Sequence, residues 1–221
     1  MSAAEHSIDA VLRRAPVIPV YTAHGSQHAA EVARALARGG LPVVEVTLRT
    51  PAAMDAIRSI ASEVPEVVVG AGTVVAPEQF EAAARAGARF AVSPGTTATL
   101  RHAALATGLA WLPGAATASE VMAGLELGYR DFKFLPAEAA GGVPMLRSLA
   151  GPFPHVRFCP TGAITEASAR DWLALPNVPC VAGSWLTPRH LVEARDWAAI
   201  EALARTAAGW TPGRHGLAAV D

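Results

Sequence analysis

Lysine is almost absent from this chain: of its 18 basic side chains, Lys133 alone is not an arginine. An excess of charge of either sign is missing as well: 18 basic and 19 acidic residues leave a formal net charge of −1. The chain therefore has no basic footprint for nucleic acid or for an anionic membrane surface. Cysteine is scarce. Cys159 and Cys180 are not in C-x-x-C spacing and read as small apolar core residues in a reducing compartment; a disulfide between them would need their strands to be neighbours. Although 52% of the residues are hydrophobic, much of this is alanine in helical stretches, and no apolar run approaches the length that crosses a bilayer. The start, residues 1–14, lacks the apolar core of a signal peptide and predicts a short amphipathic lead-in helix. A cytoplasmic location is the default. The histidines are scattered; His24 and His28 have i, i+4 spacing but no third ligand at a sensible distance, which disfavours a metal-dependent reaction. No cofactor is expected.

What is present is an unbroken alternation of short apolar runs and amphipathic stretches. Strands are predicted at 17–21, 43–47, 67–70, 88–92, 109–112, around Lys133, at 156–159 and at 180–182. Helices are predicted between them at 27–38 (with Ser26 as its cap), 51–63, 77–86, 97–107, 118–127, 144–149 and 166–173, and a last one at 188–206. Eight strand–helix units in this order predict an α/β chain folded as a (β/α)8 TIM barrel. A doubly wound open sheet is the alternative, but no Gly-rich dinucleotide fingerprint follows the first strand. Residues 1–206 form the predicted single domain. Residues 207–221, with Gly209, Pro212, Gly213 and Gly216, are predicted to be a loose tail. The five tryptophans, Trp172, Trp185 and Trp197 among them, read as core or interface packing.

In such a fold chemistry sits at the C-terminal ends of the strands. Lys133 lies between Phe132 and Phe134, and period-2 alternation puts Asp131, Lys133 and Leu135 on one face. A desolvated lysine can give up its proton where arginine cannot, and a neutral amine is what Schiff-base chemistry needs. The plainer alternatives are a strand-end lysine reaching solvent or an ion pair with Asp131. Glu45 sits inside the apolar run Val43-Val44-Glu45-Val46; it is either a proton-transferring carboxylate or the partner of a nearby arginine. Arg49, at the strand exit, is that partner or a grip for a substrate carboxylate. Thr73 follows Ala71-Gly72, where glycine permits close approach. Ser93-Pro94-Gly95 occupies the corresponding exit of the fourth strand. Thr161-Gly162-Ala163 and Gly183-Ser184, after strands seven and eight, have the form of a phosphate cradle.

Taken together, Val44-Glu-Val-Thr-Leu-Arg-Thr-Pro51, Gly70-Ala-Gly-Thr73, Ser93-Pro-Gly95, Phe132-Lys-Phe-Leu-Pro-Ala-Glu138, Arg157-Phe-Cys-Pro-Thr-Gly162 and Gly183-Ser-Trp185 resemble the 2-keto-3-deoxy-6-phosphogluconate (KDPG) aldolases, class I enzymes of the Entner–Doudoroff route. The resemblance covers about residues 8–205. It implies a Schiff base on Lys133 and proton shuttling by Glu45. It also implies that Arg49 and Thr73 hold the carboxylate end, that Pro94 and Thr161 contact substrate, and that Gly162, Ala163, Gly183 and Ser184 hold the phosphate. Pyruvate and D-glyceraldehyde 3-phosphate would be the products. 4-Hydroxy-2-oxoglutarate or the galactonate epimer are alternative substrates by the same mechanism, and a non-catalytic barrel binding a phosphorylated sugar acid is a reading of a different class. A homotrimer is implied as well. The chain departs from the family pattern at Ala163 and Ala182, where glycine is usual, and at Leu135, where phenylalanine is common. A positive φ at Ala163 would strain that loop.

Overall fold

The computed structural model describes residues 7–213. Helix α1 (Ile8–Leu12) leads into eight strands: β1 (Val17–Tyr21), β2 (Val43–Thr47), β3 (Val68–Gly72), β4 (Phe90–Val92), β5 (Ala110–Leu112), β6 (Asp131–Phe134), β7 (Arg157–Pro160) and β8 (Val181–Gly183). Between them run α2 (Ala29–Arg38), α3 (Ala53–Glu63), α4 (Pro77–Arg85), α5 (Ala98–Thr107), α6 (Ala118–Glu126), α7 (Gly142–Leu149) and α8 (Ala169–Leu173), and α9 (Arg189–Glu193) and α10 (Trp197–Ala208) follow β8.

All pairing is parallel. One curled sheet has the order β5-β4-β3-β2-β1-β8, and β6 pairs with β7 in a second. The expectation of a (β/α)8 barrel is met in its coarser part, strict α/β alternation around parallel strands, but the ladder is not continuous. At both seams pairing shrinks to isolated bridges, Gly114 with Lys133 and Thr161 with Ala182. Proline gives a physical reason: Pro113, Pro160 and Pro179 flank or end these strands, and none has an N–H to donate. The chain still hydrogen-bonds across the first seam, with Lys133 N donating to Pro113 O at 2.8 Å and Ala115 N to Lys133 O at 2.9 Å.

Alternation sorts β6 cleanly. Phe132 and Phe134 are fully buried and pack on Phe158 at ring distances of 6.2 and 6.1 Å, with Trp172 of α8 6.2 Å from Phe134. Each such ring withdrawn from water contributes about 1.5–3 kcal/mol, so this layer fixes which way Lys133 faces. On the Lys133 side of the strand, Asp131 receives two hydrogen bonds from Arg157, at 2.7 and 2.9 Å, and Arg157 also pairs with Asp9 of α1. Partial burial works to raise the Asp9 pKa, but hydrogen bonds from Arg13 and Arg157 outweigh it and hold the carboxyl below its usual range. The lead-in helix is thus tied to the start of β7.

Several local expectations change. His28, not Ser26, is the N-cap of α2, and it makes no side-chain cap bond; Ser26 contributes its carbonyl to Ala29 N instead. The single last helix is two helices. The chain breaks at Arg195 (φ 56°), and the Asp196 carboxylate restarts it by accepting from Ala199 N at 3.0 Å. Of the stretch expected to be a loose tail, Ala207 and Ala208 belong to α10. Trp210 stacks on Trp185, and Gly213 N donates to Leu173 O at 2.7 Å; residues 214–221 lie outside the described residues, as do 1–6 of the lead-in. Cys159 and Cys180 do lie on neighbouring strands, but they are free thiols with sulfurs 3.7 Å apart. The hydrogen bond to Cys159 and complete burial push the Cys180 thiol well above its ordinary pKa.

Candidate active site

Strand β2 is buried along its whole length, and Glu45 and Thr47 alternate on it with Val44 and Val46. Across the strand ends, Lys133 Nζ donates to Glu45 Oε1 at 3.1 Å, with only 5% of the lysine and 2% of the glutamate side chain exposed. Two charges withdrawn from water to this degree return little net stability. Their retention therefore points to chemistry. The pairing also decides between the readings open at the sequence level: Asp131 is occupied by Arg157, so Lys133 neither pairs with it nor reaches solvent.

The glycine before Thr73 serves this contact. A Cβ on Gly72 would stand 2.0 Å from Glu45 Oε1, so the close approach expected there is that of the carboxylate itself. Thr73 and Ala163 both adopt left-handed backbone, with φ of 60° and 58°. For a β-branched residue such as Thr73 this is a true outlier, and strain of this kind concentrates at sites whose surroundings enforce it. At Ala163 the strained alternative raised by its departure from glycine is the one realised. Ala163→Gly is expected to raise stability by about 0.5–1 kcal/mol, a gain of about 1–3 °C in the thermal midpoint. An unchanged or lower midpoint by calorimetry would show that the loop carries no such strain.

Lys133 and Glu45 open into a cavity of about 260 Å³. Arg49, Thr73, Thr161, Gly162, Ala163, Gly183 and Ser184 all line it, as do Leu135 and Ala182, the other two departures noted in the sequence. Arg49 is exposed at its rim and forms no ion pair among the described residues, which leaves its guanidinium available. Pro94 is the exception. It is exposed and does not line the cavity; its carbonyl instead abuts Gly114, where a Cβ would lie 2.1 Å away. Thr22 and Thr47 line the cavity without having been singled out, and their hydroxyls are 3.0 Å apart. Period-2 spacing from Glu45 marks Thr47, and Thr22 directly follows β1, so both carried a readable signal.

A larger cavity, about 620 Å³, lies alongside and shares Val20, Thr22 and Ser184 with the first. It holds His24 and His28 but no paired acid and amine, so size does not pick out the reactive centre. Burial pushes the phenol of Tyr21, in its wall, up to about 12.

Residues 8–203 match the family model described as KDPG and KHG aldolase. The chain belongs to this family. The KHG/KDPG aldolase of Escherichia coli K12 is 52% identical over 188 residues, which is 85% of this chain and 88% of that protein. The fold matches the 2-keto-3-deoxy-6-phosphogluconate aldolase of Zymomonas mobilis ZM4 solved with 3-phosphoglycerate, with a TM-score of 0.88 and 50% identity, covering 93% of this chain and 96% of that one. It matches equally well, at a TM-score of 0.88 and 45% identity, the KDPG aldolase of Legionella pneumophila with pyruvate captured at low pH as a covalent carbinolamine intermediate; coverage is 90% and 97%. A carbinolamine is the adduct of an amine and a carbonyl carbon, which is the chemistry a buried lysine beside a carboxylate is equipped to perform.

Proposed function

We propose that this protein is a class I aldolase that cleaves 2-keto-3-deoxy-6-phosphogluconate to pyruvate and D-glyceraldehyde 3-phosphate through a Schiff base on Lys133. The observation that carries the reading is the 3.1 Å contact between Lys133 Nζ and Glu45 Oε1 inside a cavity rimmed by Arg49 and two small-residue loops. The Lys133 amine attacks the keto carbon, and Glu45 moves the protons that turn the alkoxide into a carbinolamine and release water as the imine forms. Glu45 then takes the proton of the C4 hydroxyl. As the C3–C4 bond breaks, its electron pair passes into the imine and leaves an enamine, and the C4 oxygen becomes the aldehyde. Protonation at C3 and hydrolysis return pyruvate and the free lysine.

Arg49 holds the substrate carboxylate with Thr73 beside it. Gly162, Ala163, Gly183 and Ser184 take the phosphate, with small residues letting the backbone approach it closely. Thr161 touches the substrate between these ends. All the residues assigned roles here fall between Glu45 and Ser184, so the reading needs one domain. The isolated bridges at the two seams support closure of the eight strands into a (β/α)8 barrel. Assembly as a homotrimer belongs to the same reading and rests on the family resemblance, and work in the cytoplasm rests on cysteine usage that suits a reducing compartment. Among the described residues no helix is long and apolar enough to cross a membrane.

Pyruvate release, followed by coupled oxidation of NADH by lactate dehydrogenase, tests the substrate. We expect kcat/KM on the phosphorylated gluconate acid to exceed that on 4-hydroxy-2-oxoglutarate by at least about ten-fold, because a cradle left empty forfeits its polar contacts; the phosphorylated galactonate epimer fills the same cradle, so its ratio to the gluconate acid reports instead on how the C4 hydroxyl is placed. A preference for either alternative would move the assignment to that substrate. No pyruvate from any of the three would leave a binding protein.

A further inference from the structure

Gly183 is surrounded in an unusual way. A Cβ placed on it would stand 1.6 Å from Trp185 Cζ3 and 2.1 Å from Cε3. The six-membered ring of the Trp185 indole therefore packs directly against the backbone of β8, one residue before Ser184. Residues 209–213 run beside it. Trp210 stacks on Trp185 with ring centroids 6.4 Å apart and planes inclined by 23°. The Arg170 guanidinium of α8 sits 5.4 Å over the Trp210 ring. Gly213 N donates to Leu173 O at 2.7 Å, which anchors the segment to the end of α8. Among the described residues the buried Nε1 of Trp210 has no hydrogen-bond partner, so the contacts that hold the ring are the stacking on Trp185 and the Arg170 guanidinium. Residues 209–213 lie beyond the 8–203 span that matches the family model.

We infer that this segment is a positioning element for the Gly183-Ser184 loop: Trp210 presses Trp185 onto β8 and so sets where the Ser184 hydroxyl and backbone stand relative to the cavity. The inference rests on the phosphate-binding reading of that loop. Trp210 does not line the cavity with Lys133 and Glu45, so it acts through Trp185 and leaves the imine chemistry alone. Removing it lets the indole of Trp185 rock away from Gly183, and the loop loses its fixed distance to the phosphate, while the pyruvate half remains held by Arg49 and Lys133. The effect is thus confined to substrates that have a phosphate.

The test compares wild type, Trp210→Ala and Trp210→Phe on 2-keto-3-deoxy-6-phosphogluconate and on the same sugar acid without phosphate. For Trp210→Ala we expect KM for the phosphorylated acid to rise about ten-fold with kcat within about two-fold, and kcat/KM for the unphosphorylated acid to stay unchanged. Trp210→Phe, which keeps a stacking ring, restores the wild-type KM. The ratio of the two substrates is independent of how much of a weakened variant is folded. Equal losses on both substrates, or no change on either, overturn the inference and leave Trp210 a packing residue. A wild-type enzyme that shows no preference for the phosphorylated acid removes the phosphate reading itself, and this inference with it.

Discussion

Borohydride reduction in the presence of pyruvate is expected to add one pyruvyl unit to the chain, on the peptide that contains Lys133. The composition makes this assignment unambiguous, because the N-terminal amine is the only other primary amine in the chain. Intact mass gives the stoichiometry and peptide mapping the position. Lys133→Arg is the informative variant. It leaves a cation for the buried Glu45 carboxylate, whereas Lys133→Met would strand that carboxylate at a cost of about 3–5 kcal/mol. Guanidinium stays protonated in a protein and cannot form the imine. Activity should fall by at least about 10⁴-fold, the scale seen when the group that bonds to substrate is lost, with near wild-type circular dichroism. A trapped adduct at the N-terminus alone, or an active arginine variant, would sink the Schiff-base assignment.

Glu45→Gln should lower kcat by about 10²–10⁴-fold, the range assigned to a positioned proton-transfer group. The glutamine keeps the size of the side chain and an oxygen that accepts from Lys133 Nζ, so the 3.1 Å contact has a neutral substitute. What disappears is the capacity to take and return protons at the carbinolamine, at the C4 hydroxyl and at the enamine. Borohydride trapping with pyruvate should therefore still label Lys133 in this variant, only more slowly. A kcat within a few-fold of wild type would assign the proton transfers to another group that lines the cavity, with the hydroxyls of Thr161, Thr22 and Thr47 as the candidates.

The legible parts of the molecule were those that depend on short-range periodicity. Two phenylalanines around one lysine specify a strand whose apolar face must be covered, and the structure covers it with Phe158 and Trp172. The glycine before Thr73 announced a close approach but not what approaches, and Gly183 was read only as part of a phosphate cradle. At the first it is the Glu45 carboxylate, at the second an indole ring. Pro94 shows the limit from the other side. Its position at a strand exit was read correctly, since it directly follows Ser93 after β4, yet its backbone is turned towards Gly114 and away from the cavity. Nothing local to Ser93-Pro94-Gly95 distinguishes these outcomes. The break at Arg195 was missed because 188–206 has continuous helical composition, and the cap formed by Asp196 competes with it only once the chain has to turn there.

By itself the sequence determined the order of strands and helices, the face on which Lys133 lies, and the presence of a single amine fit for carbonyl chemistry. These follow from side-chain alternation and composition, which are properties of neighbours along the chain. Only the tertiary structure decided which carboxylate that amine meets. Asp131 is two residues away and Glu45 is 88, yet Asp131 lies about 6.5 Å further down the same strand face, where Arg157 and the lead-in helix hold it. Glu45 arrives at the level of Lys133 because packing of the strands sets their stagger. A stagger between distant strands depends on every layer of packing between them, and no local pattern encodes it. The same holds for Trp210, whose place over Trp185 exists only once α8, β8 and α10 are assembled.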